Sequence, residues 1–293
     1  MTTDAGTAVR DGGRTRPTGW TAALPLLVFV ALAFGIPVVA LLFGAFTVRD
    51  PATKVSAFTT ANMTESLRGN YLATLLGSVK LSAVVAVLGA VLGTFLAQAV
   101  VTSRFRALRE SVLTASGVLA NFGGVPLAFV WVGTLGNSGV ITNVFGLGDA
   151  GWSLYNFWGL ALVYMYFSVP LMVLVVVPAL DGLKPQWREA AGNSGATAWQ
   201  YWRHVGIPVL VPSLLGGVVL LFGGAFAAYA TAKAMVGSTV PLVTLQIADA
   251  LTGDVLIGHE NIALALSLDM IVVAGLVMAV YLPLQKRSSR WLR

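Results

Sequence analysis

The chain has 293 residues, of which 57% are apolar and only 10% charged, and its mean hydropathy is +0.82. A soluble domain carries roughly 25% charged residues, so no water-facing surface can be built from this sequence and the chain must use lipid as its solvent. The lack of cysteine excludes disulfides, thiolate metal sites and cysteine nucleophiles, and the two histidines, His204 and His259, are too few for a histidine metal cluster.

A helix needs ~20 apolar residues to cross the hydrocarbon core. Six stretches qualify, at roughly 22–46, 77–101, 111–135, 156–180, 209–235 and 262–284. None alternates with the dyad period of a β-barrel, which predicts an all-α integral membrane protein with six transmembrane helices. The first apolar run is too long for a cleavable signal peptide and reads as a retained span. The chain then divides into a tail over 1–20, a membrane domain over 21–284 and a basic tail over 285–293.

The tails and the 2–3 and 4–5 loops carry thirteen basic residues, among them Arg14, Arg109, Arg188 and Arg287, against three (Arg49, Lys54, Arg68) in the opposite loops. The asymmetry predicts both termini in the cytoplasm. It also accounts for the net charge of +6 without nucleic acid, since no basic stretch is interleaved with aromatics.

Prolines 25, 37, 126, 170 and 178 fall inside spans, where each removes a backbone donor and can kink its helix. Gly89 and Gly93 form a GxxxG face, read as a close helix contact. Gly146-Leu-Gly-Asp-Ala-Gly151 matches the dinucleotide pattern but sits between two spans, without the strand and helix the fingerprint needs. No phosphate-binding loop and no HExxH occurs, and Asn62-Met-Thr64 is a formal glycosylation sequon. Nothing assembles a nucleophile, a base and an orienting group.

The most informative segment is the loop 181–208. Pro185 can start a helix, so 186–193 reads as one short helix. Gly195 permits a sharp turn, and 196–204 reads as a second helix with Trp199 and Trp202 on one face. Pro208 marks the start of the fifth span. Such a helix–turn–helix suits either a cytosolic partner or an amphipathic connector held at the interface by its tryptophans.

The loop resembles the EAA loop of permease subunits in bacterial ATP-binding cassette (ABC) importers. The family pattern is Glu-Ala-Ala, three residues, Gly, nine residues, then aliphatic-x-aliphatic-Pro. Here it stands as Glu189-Ala190-Ala191, Gly195 and Val205-Gly206-Ile207-Pro208. Ser194 departs from the Leu or Met usual before the glycine. The resemblance covers about 70–284 and implies a non-enzymatic permease of the bacterial inner membrane that forms the solute pathway. It further implies a coupling loop docked on a separate ABC ATPase dimer, which supplies ATP and Mg while this chain holds no cofactor or metal. Glu189 would pair with a basic ATPase residue. The other implied partners are a second permease, self or paralogue, and an extracytoplasmic solute-binding protein.

Ala228-Tyr-Ala-Thr-Ala-Lys-Ala-Met-Val-Gly237 is similar to permeases of the polyamine, iron, thiamine and phosphonate group. Lys80 reads as a snorkelling interface residue. Lys233 and Asp269 are expected within the outer halves of spans, either as a structural ion pair or lining the solute route. Acidic outer residues Asp149, Asp249, Asp254 and Glu260 favour a cation such as spermidine or putrescine, and Lys233 favours an anion; phosphonate, ferric iron and thiamine are the alternative solutes. A membrane scaffold or assembly protein and an intramembrane enzyme are the competing classes.

Overall fold

A computed structural model describes residues 19–49, 56–252 and 260–288. Arg10, Arg14, Arg16, Lys54, Asp254, His259, Arg290 and Arg293 lie outside the described residues. In chain order the helices are α1 (Gly19–Val30), α2 (Ile36–Ala45), α3 (Ala61–Ser66), α4 (Gly69–Thr102), α5 (Arg106–Leu119), α6 (Gly124–Leu135) and α7 (Val140–Val144). They continue with α8 (Phe157–Asp181), α9 (Pro185–Asn193), α10 (Ala198–Tyr201), α11 (Ile207–Ala227), α12 (Ala230–Met235), α13 (Val243–Thr252) and α14 (Glu260–Ser288). Among the described residues, six helical stretches are long and apolar enough to cross a membrane: 23–45, 69–102, 124–144, 157–181, 198–227 and 261–288. The chain is a multi-pass, mostly helical membrane protein. A short antiparallel ribbon, β1 (Thr47–Arg49) with β2 (Ser56–Phe58), is an addition that the all-α reading did not contain.

Two turns of π-helix, Ala31–Gly35 and Trp202–Gly206, lead into α2 and α11. Each immediately precedes a helix whose second residue is proline, Pro37 or Pro208. Proline lacks an N–H and crowds the carbonyl four residues back; widening the helix by one residue absorbs both defects. The second stretch expected in the 4–5 loop is therefore not a separate helix. From Ala198 it runs through the π-turn into the fifth crossing, and Pro208 lies inside that helix rather than at its start.

Two other expected spans are interrupted. The third, 111–135, breaks between α5 and α6 at residues 120–123, where Gly124 has φ +76°. The two pieces run antiparallel to α8. Arg109 pairs with Asp181 at one end, Phe122 and Trp131 both meet the Tyr166 ring, and the Trp152 indole donates to the Leu135 carbonyl at the other. The fifth, 209–235, breaks at Ala228–Tyr229 between α11 and α12.

The core lies where α4, α8 and α11 meet. Val85, Ala86, Val173, Val176 and Leu221 are buried there. Glycines set the approach distances. A Cβ on Gly89 would lie 3.1 Å from both Leu221 and Ser168. One on Gly93 would lie 2.5 Å from Met172 Cβ, and one on Gly217 2.5 Å from Met172 Sδ. Met172 thus fills the junction of three helices, and the GxxxG face is a packing contact, as membrane helices use small residues to bring backbones together. The first crossing buries none of its apolar window; α2 leans on α14 instead, with Gly44 against Leu264. Asn62 is buried, its amide donating to the Ala45 and Thr47 carbonyls at 3.1 and 3.0 Å. The formal sequon thus serves as a clamp on the end of α2.

Candidate functional site

The loop 181–208 is built from standard helix-end chemistry. Pro185 occupies the first turn of α9, where no donor is needed. The helix ends at Ser194, whose hydroxyl donates to the Ala190 carbonyl at 3.0 Å. Gly195 then takes φ +76°, and the amides of Gly195 and Ala196 close back on Gly192 and Ala191, both at 2.9 Å. A Cβ at Gly195 would meet nothing within 4 Å, so the turn demands glycine for its dihedral and not for space. Thr197 and Gln200 form a capping box that restarts the helix. Gly206 lies under the Trp202 ring, 2.5 Å from where a Cβ would be.

Between α9 and the start of α11 lies a groove of about 610 Å³, lined by Trp187, Ala190, Ala191, His204, Val205 and Pro208 among others. Four of the seven motif residues, Ala190, Ala191, Val205 and Pro208, thus share one groove. Glu189 and Gly195 are exposed outside it, and Ile207 faces another groove between α11 and α14. The His204 Nδ1 lies 2.9 Å from the Gln200 carbonyl, which orients the ring. Sequence reading missed the brace at the base of the loop. The Arg109 guanidinium contacts the Asp181 carboxylate at 2.5 Å, across 72 residues of sequence that no local pattern could have linked.

On the far side from this loop, the two helix breaks meet. The Thr231 hydroxyl accepts from the Gly124 amide at 3.0 Å and donates to the Gly124 carbonyl at 3.2 Å. The buried Tyr164 hydroxyl and that of Thr244 both donate to the Ala228 carbonyl, at 3.2 and 3.3 Å. The chain then turns back, so that the Val243 amide donates to Ser78 Oγ at 2.8 Å inside α4. Irregular backbone in a membrane is tolerated where protein buries it or water reaches it, and paired breaks of this kind mark solute sites in transporters. Gly124→Ala should lower stability by about 1–2 kcal/mol, the cost of a Cβ in a left-handed conformation. The nearest atom to that Cβ would be 3.9 Å away, so a clash contributes nothing; thermal unfolding in detergent checks it.

The whole-chain architecture resembles a bacterial ABC transporter that imports the acidic polysaccharide alginate. That similarity has a TM-score of 0.67 at 18% identity and covers 92% of this chain and 94% of that one. The fold is that of an ABC importer permease. Curated relatives agree. The sulfate transport system permease protein CysT of Escherichia coli is 41% identical over 68 residues, 23% of this chain and 24% of that protein; the match thus spans about a quarter of that relative's length. The molybdenum transport system permease protein ModB of Mycobacterium tuberculosis is 28% identical over 265 residues, 87% of this chain and 92% of that protein. These relatives are transport permeases and not enzymes, and none of them specifies a polyamine. No family model matches the chain.

Within this permease fold Lys233 and Asp269 are not partners. Lys233 donates to Asp249 at 2.6 Å, and that hydrogen bond holds its ammonium above the ordinary lysine range. Expecting Asp269 as its partner assumed an unbroken fifth helix; the break at Ala228 puts Lys233 on α12, opposite α13. Asp269 is buried with Ser66 beside it, under α3, and its Oδ2 has no hydrogen-bond partner. In double-mutant cycles on thermal stability, Lys233 and Asp249 should couple weakly, as exposed pairs do, while Lys233 and Asp269 should not couple. Lys80 is exposed, within α4 rather than at its start, with its ammonium 5.3 Å from the Phe157 ring centroid. The glycine pattern at 146–151 lies in turns after the short helix α7, with no strand before it.

Proposed function

We propose that this chain is the permease subunit of an ABC importer in a bacterial inner membrane, with both termini cytoplasmic, and that its solute is a sulfate-like oxyanion. The observation that carries the class is the groove of the 181–208 loop. It joins Ala190 and Ala191 to Val205 and Pro208, while Glu189 is exposed elsewhere on the same helix. A partner surface that inserts there meets small residues. The partner is a separate ABC ATPase dimer carrying ATP and Mg. A second permease, identical or paralogous, completes the pathway, and an extracytoplasmic binding protein delivers the solute.

Support for an anion comes from two sides. The relatives' names specify sulfate and molybdenum, and the related importer takes an acidic polysaccharide. On this chain the case for a cation weakens, because Asp249, one of the acidic residues behind it, is neutralised by Lys233. Asp269 is also buried, with Ser66 of α3 beside it. The test is uptake of labelled sulfate by cells carrying the complete importer. Competition by unlabelled molybdate and none by spermidine is the expected result; spermidine uptake indifferent to sulfate would overturn the oxyanion reading while leaving the permease class intact.

A further inference from the structure

Helices α11 and α14 meet near Gly216, where an added Cβ would be 3.2 Å from the Tyr281 hydroxyl. Nearer the end that carries the coupling loop an open groove of about 350 Å³ lies between them. Ile207, Val211 and Leu215 line it from α11 at four-residue spacing, and Leu284 and Arg287 line it from α14. Four-residue spacing puts the three aliphatic side chains on one helix face, so the wall is continuous and apolar.

Arg287 stands in the last turn of α14, at the mouth of this groove, exposed. Among the described residues no carboxylate pairs with it. The sequence continues through Arg290, Trp291 and Arg293, a basic and aromatic run of the kind that sits at a charged membrane surface. A soluble anion would gain nothing from the aliphatic walls, and a neutral lipid would leave the guanidinium unused. A planar guanidinium above an apolar slot matches a phosphate that carries its own acyl chain.

We propose that this groove binds an anionic phospholipid, one acyl chain between the α11 and α14 walls and the phosphate against Arg287. The cytoplasmic placement of this end is that of the proposed topology. Pro208 lines both this groove and the coupling groove on the other side of α11, so the bound lipid braces the helix on which the coupling loop is mounted.

The full chain in detergent, mixed with phosphatidylglycerol or phosphatidylcholine and read by native mass spectrometry, tests the assignment. One phosphatidylglycerol should be retained in preference to phosphatidylcholine. Arg287→Gln should weaken that retention about fivefold, the effect of one basic residue near a membrane surface. Leu215→Trp should fill the slot and abolish it, and Arg188→Gln, on the exposed face of α9, should leave it unchanged. Equal retention of the two lipids, equal losses in Arg287→Gln and Arg188→Gln, or displacement by inorganic phosphate would each overturn the site. Release of the lipid when the ATPase is added would assign the groove to that subunit instead.

Discussion

Glu189→Lys is expected to cut solute uptake by roughly tenfold to a hundredfold while the protein inserts at its normal level. Glu189 is exposed on α9, the helix whose Ala190 and Ala191 line the groove, and does not itself line it. Exposed substitutions of this kind usually move stability by about 0.5 kcal/mol or less, so a folding defect contributes little. In the proposed docking, the substitution sets a lysine against a basic ATPase surface, and like charges brought together at an interface cost several kcal/mol. Uptake normalised to the amount of protein in the membrane measures it. Unchanged uptake would remove Glu189 from the docking surface. Gly195→Val should act in the same direction through geometry, since φ +76° resists a β-branched residue at a cost of about 1–3 kcal/mol.

Gly93→Val should destabilise the folded chain by about 3 kcal/mol, the upper part of the range for overpacking. The added Cβ would lie 2.5 Å from Met172 Cβ and 2.9 Å from the Val169 carbonyl oxygen. Neither is the loose end of a side chain, so α4 must move off α8. Met172 cannot retreat, because Gly217 of α11 already confines its sulfur from the other side. Thermal unfolding of the purified chain reads the effect. Gly223→Val, where a Cβ meets nothing within 4 Å, controls for glycine replacement in a helix and should cost far less.

Hydropathy located the first, second, fourth and sixth crossings because each is one uninterrupted helical run of apolar residues in lipid. It could not show the breaks in the third and fifth. A window of ~20 residues averages across Asn121–Gly124 and across Ala228–Tyr229, both of which remain apolar enough to pass. The pairing of Lys233 with Asp269 failed for the same reason. Counting 1.5 Å per residue along an unbroken helix misplaced Lys233, and the return of the chain through Val243 to Ser78 brings Asp249 within reach.

The 181–208 loop was legible to the level of its turn, because Pro185, Gly195 and the capping pair Thr197 and Gln200 each act locally. What the loop rests on was not. The Arg109–Asp181 contact and the π-turn before Pro208 depend on packing between distant segments. Asn62, the head of the formal sequon, is buried by the fold as a clamp, a role that no local pattern signals.

The proposed contact between α9 and a separate ATPase can be trapped covalently. The sequence has no cysteine, so a single one can be placed at will. Ala190→Cys sits in the coupling groove, and Ser138→Cys lies between α6 and α7, on the opposite side of the chain. Each is labelled with a short thiol-directed photoreactive reagent, combined with the cognate ATPase in membranes and illuminated, so that the second bond forms to whatever ATPase residue lies against the label. A covalent adduct with the ATPase is expected from Ala190→Cys and none from Ser138→Cys. No adduct from Ala190→Cys, or equal adducts from both, would contradict it.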